Sequence, residues 1–160
     1  LAFVATTRGI PQLYYGTEVL MKNPGTEDHG IIRSDFPGGW AGDKVNAYTG
    51  EGLSAEQKEA QQFVKTLFNW RIGSQVIHKG KLMHFAPERD DVYVYFRYSP
   101  EGKVMVILNK NEKEVNLDFR RYAEMLKGVN SGRNILDNKQ HTLYGTLKVP
   151  ARTPMILELQ

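Results

Sequence analysis

Val92-Tyr93-Val94-Tyr95-Phe96-Arg97-Tyr98-Ser99-Pro100-Glu101-Gly102-Lys103-Val104-Met105-Val106-Ile107-Leu108 is the stretch whose reading decides the fold. Its β-branched and aromatic residues recur with period two, the spacing at which successive side chains point to opposite faces of a strand. The alternation predicts Val92, Val94, Phe96 and Tyr98 on one face and Tyr93, Tyr95 and Arg97 on the other. Ser99-Pro100-Glu101-Gly102 is a turn signal, because Pro presets φ and Gly tolerates the return. Val104, Val106 and Leu108 continue on a second strand, so the two segments predict an antiparallel hairpin.

Toward the C-terminus the same pattern recurs. Val115, Leu117 and Phe119 mark a third strand, residues 119–126 suit one or two helical turns, and Leu147 with Val149, then Met155 with Leu157 and Leu159, supply two more strands. Several short antiparallel strands separated by turns predict a β-sandwich over residues 79–160. Its expected core is Val92, Val94, Phe96, Val104, Val106, Leu108, Leu147, Leu157 and Leu159.

Toward the N-terminus the character changes. Ser54 with Gln57 three positions later is a capping box. Glu56 and Glu59 fall in the first turns, where the helix dipole favours negative charge. Phe63, Val64, Leu67 and Phe68 make one apolar stripe. Arg71 lies in the last turn, and Gly73 is expected to close the helix in the left-handed conformation. Residues 16–52 hold eight glycines and two prolines without sustained periodicity and read as a long functional or irregular loop. Residues 10–15, an apolar and aromatic run behind Gly9, suit a short buried strand, and residues 1–7 the tail of a helix. The fold class expected is α+β, divided into residues 1–78 and 79–160.

Composition narrows the function classes. The 160 residues are 41% hydrophobic and 24% charged, which suits a packed globular chain. The formal net charge is +3, but Lys and Arg are scattered among Asp and Glu, so no clustered basic face points to nucleic acid. No apolar run has the length of a membrane span. No cysteine is present, which excludes disulfides and thiolate metal sites. Residues 1–5 are apolar, with no initiating Met and no basic n-region, and the expectation is a chain that begins inside a longer protein.

Candidate chemistry follows. Glycoside hydrolysis needs two carboxyl groups at a controlled separation. Glu18, Glu27, Asp28, Asp35 and Asp43 lie on the loop, but nothing in their spacing pairs any two of them, and the bland reading is solvated loop carboxylates. No two of His29, His78, His84 and His141 stand at metal-ligand spacing, and there is no phosphate loop or nucleophile elbow, so neither metal nor cofactor is implied. Tyr14, Tyr15, Phe36 and Trp40 lie on or near the glycine-rich loop, where flat rings can stack on sugars. Tyr14 and Tyr15 read better as strand core. For Trp40, core and sugar platform stand open. Arg33 with Asp28 or Asp35 reads equally as a clamp on sugar hydroxyls or as an ion pair that holds the loop.

At Gly9-Ile10-Pro11-Gln12-Leu13-Tyr14-Tyr15-Gly16-Thr17-Glu18 the sequence resembles the eighth barrel strand and following turn of the α-amylase family, glycoside hydrolase family 13. Arg33-Ser34-Asp35-Phe36-Pro37-Gly38-Gly39-Trp40 resembles the next loop in neopullulanase- and cyclomaltodextrinase-like members. Leu67-Phe68-Asn69-Trp70-Arg71 resembles the end of the last barrel helix, and Thr153-Pro154-Met155-Ile156-Leu157-Glu158-Leu159 the closing strand of the C-terminal sandwich. The resemblance implies the end of a (β/α)8 barrel, its last strand, loop and helix, followed by the sandwich, within a retaining α-glucan hydrolase. The family's nucleophile Asp, acid/base Glu and third Asp lie on earlier strands, as does the His-Asp motif, so this chain is expected to hold no catalytic residue and to be inactive alone. Asp28 and Arg33 correspond to a loop pair that touches sugar, although the spacing departs from Asp-Pro-Asp-x-Arg-Arg. With Trp40 they are the expected substrate-binding residues, and the expected partner is an α-glucan oligosaccharide in the intact enzyme. Members resembling this branch are often periplasmic or cytoplasmic. A strand cut from its barrel also predicts either self-association through residues 1–78 or partial disorder of the loop from Glu18 to Gly52. The competing reading is a stand-alone carbohydrate-binding sandwich.

Overall fold

The computed structural model describes residues 1–23, 25–88 and 92–160. Lys81–Phe85, Val92–Ser99 and Gly102–Asn109 form β1, β2 and β3, and β2 and β3 are the expected hairpin. Ser99 opposes Gly102 across Pro100 and Glu101, which places Phe96 opposite Met105 and Val94 opposite Ile107. Opposed residues of an antiparallel pair share a face. Val92, Val94 and Phe96 therefore share the core with Met105 and Ile107, and the expected placement of Val104, Val106 and Leu108 beside them is corrected. Residues 104–108 are apolar at every position, so their periodicity is silent about facing. The turn decides it.

Val115–Asp118, Ser131–Asn134, Gln140–Thr142, Thr146–Val149 and Pro154–Leu159 complete the set as β4 to β8. One antiparallel sheet runs β1-β2-β3-β8-β5-β6, and β4 pairs with β7 in a second. Met105, Ile107, Met155 and Leu157 of the large sheet meet Leu117, Leu147 and Val149 of the small one, with Phe119, Tyr122 and Met125 closing the side. The expected sandwich is thus present. β1, β5 and β6 carry no alternation strong enough to have been read in advance.

Helices α1 (Ala2–Thr6), α2 (His29–Ile32), α3 (Ala55–Gly73), α4 (Gln75–Lys79) and α5 (Ala123–Leu126) accompany the sheets. The chain forms two compact units, Leu1–Ile10 with Thr66–Gln160, and Pro11–Lys65. In the first unit, the outer face of the large sheet is buried as deeply as the inner one: Tyr95 and Val106 are fully buried and Arg97 is 1% exposed. Thr6 Oγ1 donates to Ala2 O (2.6 Å), so the Tyr95 hydroxyl, 2.5 Å away, donates to Thr6. Burial pushes the Tyr95 hydroxyl up to about 12. Arg97 donates to Thr6 O (2.9 Å) and Gly80 O (2.8 Å), and Trp70 Nε1 to Glu158 Oε1 (2.6 Å).

Two local expectations are corrected. Gly73 is the last helical residue of α3 rather than a left-handed cap, and the chain passes through Ser74 straight into α4. Arg71 lies in the last turn of α3 as expected, is buried, and donates to Ala5 O (2.5 Å) and Gly9 O (3.1 Å). Residues 10–15 are not a buried strand: they carry no sheet pairing, Ile10 is 97% exposed and Tyr14 59%. A parallel strand needs neighbours on both edges, and β1 to β8 bond only among themselves.

Candidate functional site

The loop expected to meet substrate lies in the Pro11–Lys65 unit. Most of it is irregular, yet its backbone is held. Val19, Ala47 and Leu53 form a small buried core, packed by Met21, Phe36 and Val45. The first turns of α3 begin with the expected capping box: Ser54 N donates to Gln57 Oε1 (3.0 Å) and Gln57 N to Ser54 Oγ (3.2 Å). From this helix Gln57 Nε2 donates to Val19 O (3.0 Å) and Gln61 Nε2 to Ala47 O (2.7 Å), which satisfies loop carbonyls that lack a ladder partner. Asn23 Nδ2 bridges Ile31 O and Ser34 Oγ, both at 2.8 Å, and the Tyr15 hydroxyl donates to Ser34 O (3.0 Å).

The tightest element is the turn at Gly38 and Gly39. Asp43 Oδ2 accepts from Gly38 N (2.8 Å) and Trp40 N (3.1 Å). Gly38 has φ +100°, and a Cβ there would stand 2.7 Å from Asn46 Oδ1, so both conformation and space require glycine. Asn46 Oδ1 in turn accepts from Tyr48 N (2.9 Å) and Thr49 N (3.1 Å). The Trp40 backbone is thereby fixed while its side chain is 68% exposed. Its indole, left open, offers a flat apolar face. Tyr48, 75% exposed, packs its ring 5.3 Å from Phe36, and Tyr14 and Tyr15 stack at 4.7 Å. Tyr48 was not singled out from the sequence. The signal for it was an aromatic inside an Asn-x-x-x-Gly turn of the same loop.

Asp28 and Arg33 bracket α2. Asp28 is its N-cap, with Oδ1 accepting from Gly30 N (2.7 Å), and Arg33 is its C-cap. Both are exposed. Among the described residues Arg33 forms no ion pair with Asp28 or Asp35, so the ion-pair reading of the loop does not hold, and the guanidinium faces solvent. Asp28, Arg33 and Trp40 thus lie on one loop, two at the ends of a four-residue helix and one on the Asp43 turn. Among the described residues no three His, Asp or Glu side chains come together as a metal-holding group.

Comparisons place this architecture. Residues 82–158 match the family described as the cyclo-malto-dextrinase C-terminal domain. A cyclomaltodextrin glucanotransferase of Klebsiella oxytoca is 33% identical over 112 residues, 70% of this chain and 16% of that protein. Among solved structures, AmyP in complex with maltotriose superposes with a TM-score of 0.74 at 16% identity, over 99% of this chain and 33% of that one. An α-amylase of Geobacillus thermoleovorans complexed with acarbose gives 0.65 at 18% identity, over 99% and 32%. The chain therefore spans a third or less of the proteins it matches, and at these identities the structural likenesses show the fold alone.

Proposed function

We propose, from the premise that this chain belongs to the α-amylase family and carries its cyclo-malto-dextrinase C-terminal domain at residues 82–158, that it is part of an α-glucan-hydrolysing glycosidase. In this reading residues 1–78 are the end of the (β/α)8 barrel, with its last strand, loop and helix, and residues 79–160 are the sandwich. The division is one of ancestry; it differs from the compact units of the chain, in which segments 1–10 and 66–80 pack on the sandwich. The catalytic carboxylates belong to other parts of such an enzyme, and this chain supplies substrate contacts and structural support. Asp28, Arg33 and Trp40 are the contacts. The single observation that carries the assignment is Trp40, a tryptophan whose backbone is bonded to Asp43 and whose ring is left to solvent. Arg33 supplies donors for sugar hydroxyls, and Asp28 supplies the carboxylate oxygen not used as a cap.

The test is titration with maltotriose, read by tryptophan fluorescence and calorimetry. Trp40→Ala should weaken binding about tenfold or more, the order expected for loss of a stacked aromatic, and leave the melting temperature within a degree or two. Equal affinity for the variant would remove Trp40 from the site. The same reading includes self-association. Exposed Ile10, Tyr14 and Tyr15 offer apolar surface that needs a cover, and a mass that rises with concentration in light scattering is the expected result.

A further inference from the structure

We propose that the sandwich carries a second site, in the cleft beside β4, for a neutral hydroxyl-rich ligand, an α-glucan segment; the choice of glucan rests on the reading above. The cleft has a volume of about 560 Å³, inside the ~300–1,000 Å³ range of small-molecule sites. β4 builds its wall by alternation. Leu117 turns into the core with Val115 packed against it, so Asn116 and Asp118 face outward.

The charged groups here are fixed in place. Asp118 Oδ1 caps the following 3-10 turn by accepting from Arg120 N (2.9 Å), and its carboxylate also takes Arg120 Nε (2.8 Å) and Nη2 (2.5 Å). Hydrogen bonding from Arg120 holds the Asp118 carboxyl below its ordinary range. Arg121 is fixed from another direction, by Ala86 O (2.6 Å) and Glu88 Oε1 (3.2 Å). Arg120 Nη1 donates to none of the described residues, and the side chain is 90% exposed.

The composition of the cleft selects the ligand. Among the described residues that line it, two carboxylates and two guanidiniums cancel, so neither a free anion nor a cation meets a complementary field there. Leu117 and Tyr122 line the cleft but are 1% exposed each, so no apolar or ring face is offered to a lipid or aromatic compound. What remains is an array of N–H donors and carboxylate or amide acceptors at fixed spacing. A sugar hydroxyl both accepts and donates, and vicinal hydroxyls can use a guanidinium and the Asn116 amide together.

The experiment is an amide-resolved NMR titration of the chain with maltotriose, alongside Arg120→Ala and Trp40→Ala. Expected are shifts at residues 116–122 that need about tenfold more ligand in Arg120→Ala and are unchanged in Trp40→Ala. Arg120 is exposed, and a melting curve confirms that its variant folds. Shifts confined to residues 28–48 would overturn the second site and leave the loop assignment standing. Shifts confined to residues 116–122 would uphold it and overturn the loop. Silence at both overturns both. Shifts with sodium sulfate but not with maltotriose overturn the ligand class.

Discussion

Arg97 heads the large side chains buried to under 2% exposure, and among the described residues no carboxylate pairs with it. Its charge is met by main-chain carbonyls: Thr6 O ends α1 and Gly80 O follows α4. Helix C-termini carry partial negative charge and unsatisfied carbonyls, so one guanidinium serves two helix ends, and Arg71 serves α1 as well through Ala5 O. Burial first, then the neighbouring Arg71 and Arg8, holds Arg97 below the usual guanidinium range. Arg97→Met would leave two buried carbonyls without donors. We expect a loss of about 3 kcal/mol, read by urea denaturation; an unchanged midpoint would mean that water replaces the guanidinium. Tyr95 makes a pH prediction. Its folded pKa of about 12 lies above the ordinary tyrosine value, so the folded state binds the proton more tightly than the unfolded one. The associated stability is complete below about pH 10 and is lost as pH rises through about 12, on the order of 2–3 kcal/mol. Wild type minus Tyr95→Phe should show that slope, and a flat difference would remove Tyr95 as its source.

At the scale of elements, α3 is the one most completely encoded by its own residues. Its capping box closes in both directions, and Ser54→Ala should cost about 1 kcal/mol, visible as a lowered denaturation midpoint with an unchanged slope. A cost near zero would show that Gln57 holds the start by itself through Val19 O. At the other end of α3, Gly73 has the residue type of a cap without the conformation. Ser74 and α4 follow at once. Residues 10–15 illustrate the opposite limit. Their strand character is a property of a sheet, and where no neighbouring strand is supplied the run carries no pairing and leaves Ile10, Tyr14 and Tyr15 exposed.

At the scale of the molecule, the large sheet is covered on both faces in the first unit. Tyr95, Val104 and Val106 are buried beneath residues 1–10 and 66–80 rather than in the sandwich core. A protein truncated to residues 79–160 should still melt cooperatively with a β-type spectrum, because the core between the sheets is intact. It should be less stable than the full chain by several kcal/mol, about 1.5–3 for each large apolar side chain re-exposed. Equal stability in calorimetry would show that the covering segments contribute little.

The residue pattern by itself determined the hairpin at residues 92–109, the sandwich, the α3 start and the character of the 16–52 loop, since each depends on neighbours in sequence: period two, a turn, a cap, a run of glycines. Trp40, Asp28 and Arg33 were legible as loop residues with suitable chemistry. That Trp40 is held by Asp43 and left open, that Tyr48 stands beside Phe36, and that Asn116, Asp118 and two arginines share a cleft depended on contacts no local pattern encodes. The same holds for the facing of residues 104–108 and the burial of Arg97. An all-apolar strand fits either face, and an arginine reads as surface until two helix ends converge on it. Only tertiary packing, which brings residues 6, 80 and 97 together, chooses between such alternatives.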